Sequence, residues 1–379
     1  MKDIIFAGAI LFVFSFYLSL FLTRVVRKIS IRRGFLDKPG RAKLHTEPKP
    51  LGGGIAIFLG VFIPLGLGGL FAYLFSGKET GWLPVSLSVH LEGVLSKCGR
   101  LAFIATGGLI IFLLGLHDDI KALSVRRKLF VTIVVAAALA LAGVRVSLFI
   151  GDQVIGGVIT VLWIVGLTHV FNLLDNMDGL CASVGLVLSV IFLVVAIQTG
   201  QLFVAAFLVV LMGALLGFLR HNFPPAKIFM GDGGSLFVGY ILAVITVVFT
   251  FFDPAYTLPS GVLNRYYAVL VPLLVFAVPL FDTASVIFIR IREKRPIFKG
   301  DRCHFSHRLL SLGMTTRGAL FTVCLATFCT GISAVLLYRP HRSFLGDLVI
   351  AFVLVCQALG ILAIIVLLER AAATRCEKK

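Results

Sequence analysis

Stretches of roughly twenty mostly apolar residues recur along the chain, and each is long enough to cross about 30 Å of hydrocarbon as a helix. Of the 379 residues, 59% are hydrophobic and 14% are charged. The mean hydropathy of +1.04 lies outside the range of a soluble domain of this length. A transmembrane β-barrel would instead show alternating segments of about ten residues, and that period is not visible. These features predict an all-α, polytopic membrane protein that forms one domain over residues 1–379.

We predict eleven membrane-spanning helices, with ten as the alternative because residues 198–201 separate the sixth from the seventh only weakly. Their approximate ranges are 4–25, 52–75, 101–116, 128–147, 154–171, 181–199, 201–219, 234–252, 266–289, 318–338 and 347–368. The first is predicted to be a membrane anchor, since it is too long for a signal peptide and lacks a small-residue cleavage site.

Basic residues decide the predicted orientation. Segments that follow odd-numbered helices contain 27 of the 35 Lys and Arg residues, and such an excess marks the cytoplasmic side. We therefore expect an extracytoplasmic N-terminus and a cytoplasmic C-terminus in the cell (inner) membrane. The net charge of +17 fits anionic head groups and anionic substrates at that surface. No soluble basic domain is present, so nucleic acid is not an expected partner.

Five polar segments fall on this predicted cytoplasmic face, at about 26–51, 117–128, 172–180, 220–235 and 290–317. The chain has only 18 acidic residues, yet these segments place them beside glycine, asparagine and histidine. A cation-coupled transporter or lipid flippase is the alternative from another class. It would be expected to hold its ionisable residues near the bilayer midplane instead.

A pair of adjacent carboxylates, Asp118 and Asp119, follows the third apolar stretch. Two neighbouring negative charges repel each other unless a divalent cation or basic groups stabilise them. The same segment supplies such groups in Lys121, Arg126, Arg127 and Lys128. A solvated helix cap is the more common explanation of an aspartate pair taken alone.

The second segment, NLLDNMDGL, contains Asn172, Asp175 and Asp178 at intervals of three residues. On a helical turn this spacing places the polar groups toward one side, where they could hold a nucleoside or a metal. Capping of the sixth helix by Asp178 is the structural alternative. It would not require three such residues.

The third segment, NFPPAKIFMGDGGS, begins at Asn222 and places Asp232 among glycines. Glycines let the backbone approach a ligand closely, and the N–H groups at the start of the next helix favour an anion. We expect phosphate together with a metal as the ligand. A turn capped by Ser235 is the alternative.

Two further segments are basic. His304 and His307 lie three residues apart in RCHFSHR, and no third ligand stands at zinc-site spacing, so phosphate contact is favoured over zinc. A polybasic loop that only fixes topology is the alternative. His45 precedes the glycines that open the second helix, again a place for an anion. Asp282, inside the ninth span, is expected to need a partner such as Arg290.

Together and in this order, the five segments resemble the polyprenyl-phosphate N-acetylhexosamine-1-phosphate transferases, glycosyltransferase family 4, over about residues 24–315. The runs HTEPKP and FKGDRCHFSHRL are similar to the undecaprenyl-phosphate GlcNAc-1-phosphate branch rather than to the phospho-MurNAc-pentapeptide branch. The resemblance implies transfer of a sugar-1-phosphate from a UDP-sugar to polyprenyl (undecaprenyl) phosphate, with release of UMP. It also implies dependence on Mg²⁺, with Mn²⁺ as the alternative metal. The reaction would be the first membrane step in the synthesis of a cell-envelope glycan.

The resemblance further implies residue roles. The catalytic residues would be Asp118, Asp119, His304 and His307. The nucleotide pocket would be lined by Asn172, Asp175, Asp178, Asn222 and Phe229, with the phenyl ring stacking on uracil. Phosphate would be held by Lys121, Arg302, Arg308 and His45, and the metal by Asp232 and Asp118.

The chain departs from the family pattern at several positions. Ser306 stands where the middle histidine is common, Asn176 where glycine is usual, Leu51 where a basic residue often occurs, and His169 where asparagine is frequent. The same reaction with UDP-MurNAc-pentapeptide or another UDP-HexNAc is the nearer alternative. The sequence is also compatible with a homodimer.

Overall fold

The computed structural model describes residues 2–39, 47–78, 83–146, 152–248, 270–294, 296, 303–337 and 344–376. The first half of the described chain forms α1 Lys2–Arg33, α2 Gly53–Phe75, α3 Val85–Ile120, α4 Val125–Leu141, α5 Gln153–Leu174 and α6 Leu180–Gln198. The second half forms α7 Leu202–Asn222, α8 Gly231–Val248, α9 Leu270–Val275, α10 Ala277–Arg292, α11 Phe305–Ser311, α12 Thr316–Leu337 and α13 Phe344–Cys376. Two strands of two residues each, β1 Leu36–Asp37 and β2 Lys49–Pro50, pair in antiparallel orientation.

The all-α, multi-pass membrane architecture predicted from the sequence is confirmed. Within the described residues, nine helices are long and apolar enough to cross a membrane. Helix α4, with 17 residues, and the divided pair α9 and α10 are shorter than the others that match predicted spans. The total of eleven crossings therefore stays a prediction.

The ninth predicted span, 266–289, is not one continuous helix where the structure describes it. Helix α9 ends at Val275 and α10 begins at Ala277, with Phe276 between them. Pro279 lies in the first turn of α10. Proline has no N–H to bond the carbonyl four residues earlier, and its ring crowds that carbonyl, so a helix divides at this point.

Helix α3 begins well before the predicted range of 101–116. Its first turns contain His90, Glu92, Lys97 and Arg100, which lower the local hydropathy below that of a span. Helix formation depends on backbone hydrogen bonds rather than on hydropathy, so a polar extension continues an apolar helix without a break.

Helix α8 forms the centre of the bundle. Every residue from Gly233 to Thr246 is buried, and α2, α3, α5 and α6 pack around it. Glycines permit the closest approaches: a Cβ on Gly239 would lie 2.9 Å from the carbonyl oxygen of Leu167 in α5. Small residues let helices in lipid pack backbone against backbone, where van der Waals contact replaces the hydrophobic effect.

The loop before α8 is held against the start of α2 by backbone hydrogen bonds. The Gly53 and Gly54 N–H groups donate to the carbonyl oxygens of Phe229 and Met230, at 3.0 and 2.9 Å. In return, the Phe229 N–H donates to Pro50 O in β2 at 2.8 Å. These bonds bring the polar segment at 26–51 and the third segment, NFPPAKIFMGDGGS, to the same end of the bundle.

Candidate active site

The C-terminus of α3, the N-terminus of α4 and the N-terminus of α8 meet around one lysine. Lys128 Nζ lies 2.9 Å from Asp118 Oδ2 and 3.0 Å from Asp232 Oδ2, so a single ammonium group bridges two carboxylates. Asp118 Oδ1 also accepts the Leu123 N–H at 2.6 Å, which fixes the carboxylate against the α3–α4 turn. Two residues that the sequence suggested as metal ligands therefore converge, although 114 positions separate them.

Asp119 faces the start of α8 rather than the lysine. Its Oδ1 accepts the Asp232 N–H at 2.8 Å, and its Oδ2 accepts the Gly233 N–H at 3.1 Å. The N-terminus of a helix attracts negative charge, and the sequence predicted an anionic ligand there. The anion found at this position is the chain's own carboxylate, so Asp119 connects α3 to α8 and holds the backbone of Asp232.

The glycines around these acids serve helix packing in this structure. A Cβ on Gly115 would lie 2.5 Å from the backbone nitrogen of Gly233, and one on Gly54 would lie 2.5 Å from Gly234 Cα. Gly231 has φ +75°, and a side chain there would meet the Asp119 carboxylate. The backbones of α2, α3 and α8 therefore approach each other closely at these glycines. The approach of a ligand to the glycines beside Asp232, which the sequence suggested, stays a prediction.

The second polar segment adds further acids to the same end of the bundle. Asp175 is half-buried, and no described residue donates a hydrogen bond to its side chain. Burial raises the pKa of Asp175 well above its usual value, and the negative charges of Asp232, Asp119 and Asp178 raise it further. Several carboxylates therefore lie around one ammonium group, and a bound cation would stabilise the negative charge that this group does not neutralise.

The other predicted nucleotide-pocket residues support the loops in this structure. Asn172 Nδ2 donates to Ser235 Oγ at 3.1 Å, and Asp178 Oδ2 accepts the Ala226 N–H at 2.8 Å. Asn222 is buried, with Oδ1 accepting the Gly179 N–H at 3.0 Å and Nδ2 donating to a loop carbonyl at 2.9 Å. These contacts unite the second and third segments, while nucleotide contact by these residues and by Phe229 stays a prediction.

The histidine segment forms the short helix α11, which the sequence did not predict as an element of its own. Asp282 in α10 accepts hydrogen bonds from His304 Nδ1 at 2.9 Å and from the Phe305 N–H at 2.6 Å. The described partner of Asp282 is therefore His304, where the sequence suggested Arg290. Ser306 Oγ donates to Asn176 Oδ1 at 2.5 Å, so two positions that depart from the family pattern contact each other.

The predicted phosphate-binding residues are less completely described. His45 and Arg302 lie outside the described residues. Arg308 donates from Nη2 to Ser285 Oγ at 2.9 Å, and Lys121 is exposed at the C-terminus of α3. Their phosphate contacts stay predictions. The lysine that contacts the acids is Lys128, which the sequence named only as one of four nearby basic residues.

His169 is a second polar residue near this centre that the sequence did not include among its site residues. Its Nε2 is buried and has no hydrogen-bond partner among the described residues. His169 lies in the last two turns of α5, the helix that ends at the second polar segment. One turn later, Asn172 contacts α8. The sequence feature that could have indicated His169 as a site residue is a histidine within an apolar stretch, three residues before Asn172.

The donor set can be tested against a divalent metal. Among the described residues, no group of three or more His, Cys, Asp and Glu side chains has metal-binding geometry. Mg²⁺ is commonly bound through one or two carboxylates, with water and substrate phosphates completing its shell. The oxygens Asp118 Oδ2 and Asp232 Oδ2, which converge on one cationic group, fit that requirement.

Comparison with known proteins identifies the family of this chain. The family model described as "Glycosyl transferase family 4" matches residues 101–250, a range that contains the acidic centre. The chain is 31% identical to the probable undecaprenyl-phosphate N-acetylglucosaminyl 1-phosphate transferase of Bacillus subtilis, over 86% of this chain and 84% of the relative. It is 30% identical to the decaprenyl-phosphate N-acetylglucosaminephosphotransferase of Mycolicibacterium smegmatis, over 85% and 80% of the two chains.

A further relative is the undecaprenyl-phosphate alpha-N-acetylglucosaminyl 1-phosphate transferase of Yersinia pestis, which is 26% identical over 90% of this chain and 88% of the relative. Fold and site together define a multi-pass membrane protein with an acidic centre at one end of its helical bundle. The chain belongs to glycosyl transferase family 4, among the polyprenyl-phosphate N-acetylglucosaminyl-1-phosphate transferases.

Proposed function

We propose that this protein transfers N-acetylglucosamine-1-phosphate from UDP-N-acetylglucosamine to a polyprenyl phosphate and releases UMP. The observation that carries the proposal is the pairing of Asp118 and Asp232 around Lys128, in a chain whose relatives are named for that transfer. The reaction would take place at the cytoplasmic face of the cell membrane, as the first membrane step of an envelope glycan.

The chemistry is a phosphoryl transfer between two anions. A phosphate oxygen of the lipid attacks the phosphorus that bears the sugar, a new P–O bond forms, and the bond from that phosphorus to the bridging oxygen breaks. UMP leaves with the bridging oxygen and its electron pair. The lipid phosphate is already anionic near neutral pH, so catalysis depends more on positioning and charge neutralisation than on covalent chemistry. We therefore favour direct attack over an aspartyl-phosphate intermediate.

Asp118 and Asp232 would hold Mg²⁺, or Mn²⁺ as the alternative. When bound, the metal supplies positive charge that neutralises the diphosphate of the donor. Lys128 keeps the two carboxylates close together and adds a further positive charge beside the leaving group. Asp119 holds the backbone of Asp232 and Gly233, so its role in this scheme is to position a metal ligand rather than to remove a proton.

Two alternatives remain distinct from this proposal. A UDP-MurNAc-pentapeptide or other UDP-HexNAc transferase would use the same centre, whereas the relatives are named for N-acetylglucosamine. In a cation-coupled transporter, the acids would be expected near the middle of the spans. Here Asp118 and Asp119 lie in the last turn of α3, and Asp232 lies in the first turn of α8.

The test is an assay of the purified full chain with Mg²⁺, polyprenyl phosphate and a panel of UDP-sugars, with UMP and the lipid product as readouts. We expect UMP and a polyprenyl-diphospho-sugar with UDP-N-acetylglucosamine, and no product when either the metal or the lipid is omitted. If only a different UDP-sugar supported turnover, the proposed donor would be wrong and the proposed type of reaction would stand. No UMP with any donor would overturn the proposed function.

A further inference from the structure

Asp282 is a buried carboxylate that the reaction described above does not use. It lies in α10 with 3% of its surface exposed, inside the ninth predicted span. Both of its oxygens accept hydrogen bonds, Oδ2 from His304 Nδ1 at 2.9 Å and Oδ1 from the Phe305 N–H at 2.6 Å. Burying an acid in the bilayer region costs free energy, and such acids are usually paired and functional.

His304 is itself buried, with 4% of its surface exposed. A carboxylate can only accept a hydrogen bond, so the contact with Asp282 places the proton of a neutral imidazole on Nδ1. Nε2 is then the ring nitrogen that remains for another group. The same carboxylate binds the first backbone N–H of α11, so the position of the helix and the orientation of its histidine depend on one side chain.

Helix α11 is also connected to the acidic centre. Ser306 Oγ donates to Asn176 Oδ1 in the second polar segment, and Asn172 of the same segment donates to Ser235 Oγ near the start of α8 at 3.1 Å. A histidine at the start of α11 therefore stands on an element that is fixed on one side by Asp282 and on the other by the second polar segment.

We propose that Asp282 is a positioning residue that holds His304 with its proton on Nδ1 and directs Nε2 toward a phosphate of the bound substrates. This inference rests on the proposed function, since that function supplies the phosphate. A carboxylate that orients a histidine in this way fixes both the tautomer and the direction of the ring, and its loss lowers activity without removing the histidine.

Asparagine at position 282 separates orientation from simple packing. An amide has one oxygen and one NH₂ group, and the oxygen is needed for the Phe305 N–H. The NH₂ group would then face His304 Nδ1 and favour an acceptor there, which moves the ring proton to Nε2. Glutamate at the same position keeps a carboxylate that can still accept from Nδ1.

The experiment compares the purified full chain with Asp282→Asn, Asp282→Glu and a matched control, Tyr240→Phe. The control removes another buried hydrogen bond, from Tyr240 Oη to Ile104 O at 3.0 Å, away from the histidines. We expect Asp282→Asn to lower kcat for UMP release about 10- to 100-fold, Asp282→Glu to recover part of it, and Tyr240→Phe to keep wild-type kcat. Thermal unfolding midpoints of Asp282→Asn and Tyr240→Phe should fall by similar amounts.

A second measurement does not depend on any variant being active. Nitrogen NMR of ¹⁵N-histidine-labelled wild-type protein, with the His304 signal identified by its loss in His304→Gln, should show a proton on Nδ1. A bare Nδ1 would overturn the inference, and so would an Asp282→Asn protein with unchanged kcat. If the wild-type chain released no UMP from any UDP-sugar, the proposed function would fail, while the NMR result would still decide the Asp282–His304 contact.

Discussion

Lys128 Nζ lies 3.0 Å from Asp232 Oδ2, although the two residues are 104 positions apart in the sequence. The same ammonium group lies 2.9 Å from Asp118 Oδ2. Without it, two carboxylates would face each other at a largely buried position, where repulsion is weakly screened. Lys128 thus holds the acidic centre together before any metal binds.

Replacement of Lys128 by methionine should destabilise the metal-free protein. Removal of one partner from a half-buried charge cluster leaves the others uncompensated, at a cost below the roughly 3 kcal/mol of a fully buried pair. We expect the thermal unfolding midpoint of Lys128→Met to fall in EDTA and to rise more than that of the wild type when millimolar Mg²⁺ is added. The matched control is Lys121→Met, at an exposed lysine. Equal responses to Mg²⁺ in the two variants would contradict the bridging role.

The cap that Asp119 forms on α8 from another helix can be compared with a local N-cap elsewhere. Asp152 Oδ1 accepts the N–H groups of Val154 and Ile155 at the start of α5, at 2.7 and 3.2 Å. Asp119→Ala and Asp152→Ala should each cost about 1 kcal/mol of stability. Only Asp119→Ala should also lose UMP release, because only this cap holds the backbone of Asp232, the proposed metal ligand. Retained turnover in a folded Asp119→Ala protein would show that α8 keeps its position without the cap.

Asp175 should make the stability of the metal-free protein depend on pH. Its pKa in the folded protein is raised, so the neutral form is preferred and ionisation is penalised as the pH rises above the usual aspartate range. In EDTA, Asp175→Asn should therefore unfold at a higher temperature than the wild type at about pH 7, with a smaller difference at about pH 4. Asp152→Asn, at an exposed acid, should show no such gain. A gain for Asp175→Asn that is the same at both pH values would contradict the electrostatic explanation.

Two glycines in α2 should respond oppositely to the same substitution. A Cβ on Gly54 would overlap the backbone of Gly234, whereas Gly68 has nothing within 4 Å of its Cβ position. Overpacking typically costs about 1–3 kcal/mol, while alanine in an open helical position is favoured over glycine by up to about 1 kcal/mol. Thermal unfolding should thus place Gly54→Ala below the wild type and Gly68→Ala at or above it. A Gly54→Ala protein as stable as the wild type would mean that α2 and α8 can separate without cost.

The sequence predicted the helical spans well because lipid imposes a strong requirement: about twenty apolar residues with every backbone group bonded internally. It also predicted that Asp118, Asp119 and Asp232 belong to one centre. The break at Phe276 and the early start of α3 were missed, since hydropathy measures the length of apolar chain rather than the continuity of backbone hydrogen bonds.

Which group contacts which acid could not be predicted. Four basic residues lie within 121–128, and only the packing of α4 against α3 and α5, which brings Lys128 to the start of α8, selects Lys128. The glycines of the third segment have the same appearance in a sequence whether a ligand or another helix approaches them. The contact between Ser306 and Asn176, and that between Asp282 and His304, likewise join elements whose relative placement no local pattern encodes.

The most direct measurement is UMP release by the purified, folded full chain with UDP-N-acetylglucosamine, polyprenyl phosphate and Mg²⁺, compared with its Asp232→Asn variant. Asp152→Asn serves as a control, since Asp152 caps the N-terminus of α5 and Asp175 follows the C-terminus of the same helix. The account predicts turnover in the wild type and the control, and its abolition in Asp232→Asn, since a proposed metal ligand and a partner of Lys128 are lost together. Substantial turnover in a correctly folded Asp232→Asn protein would contradict it.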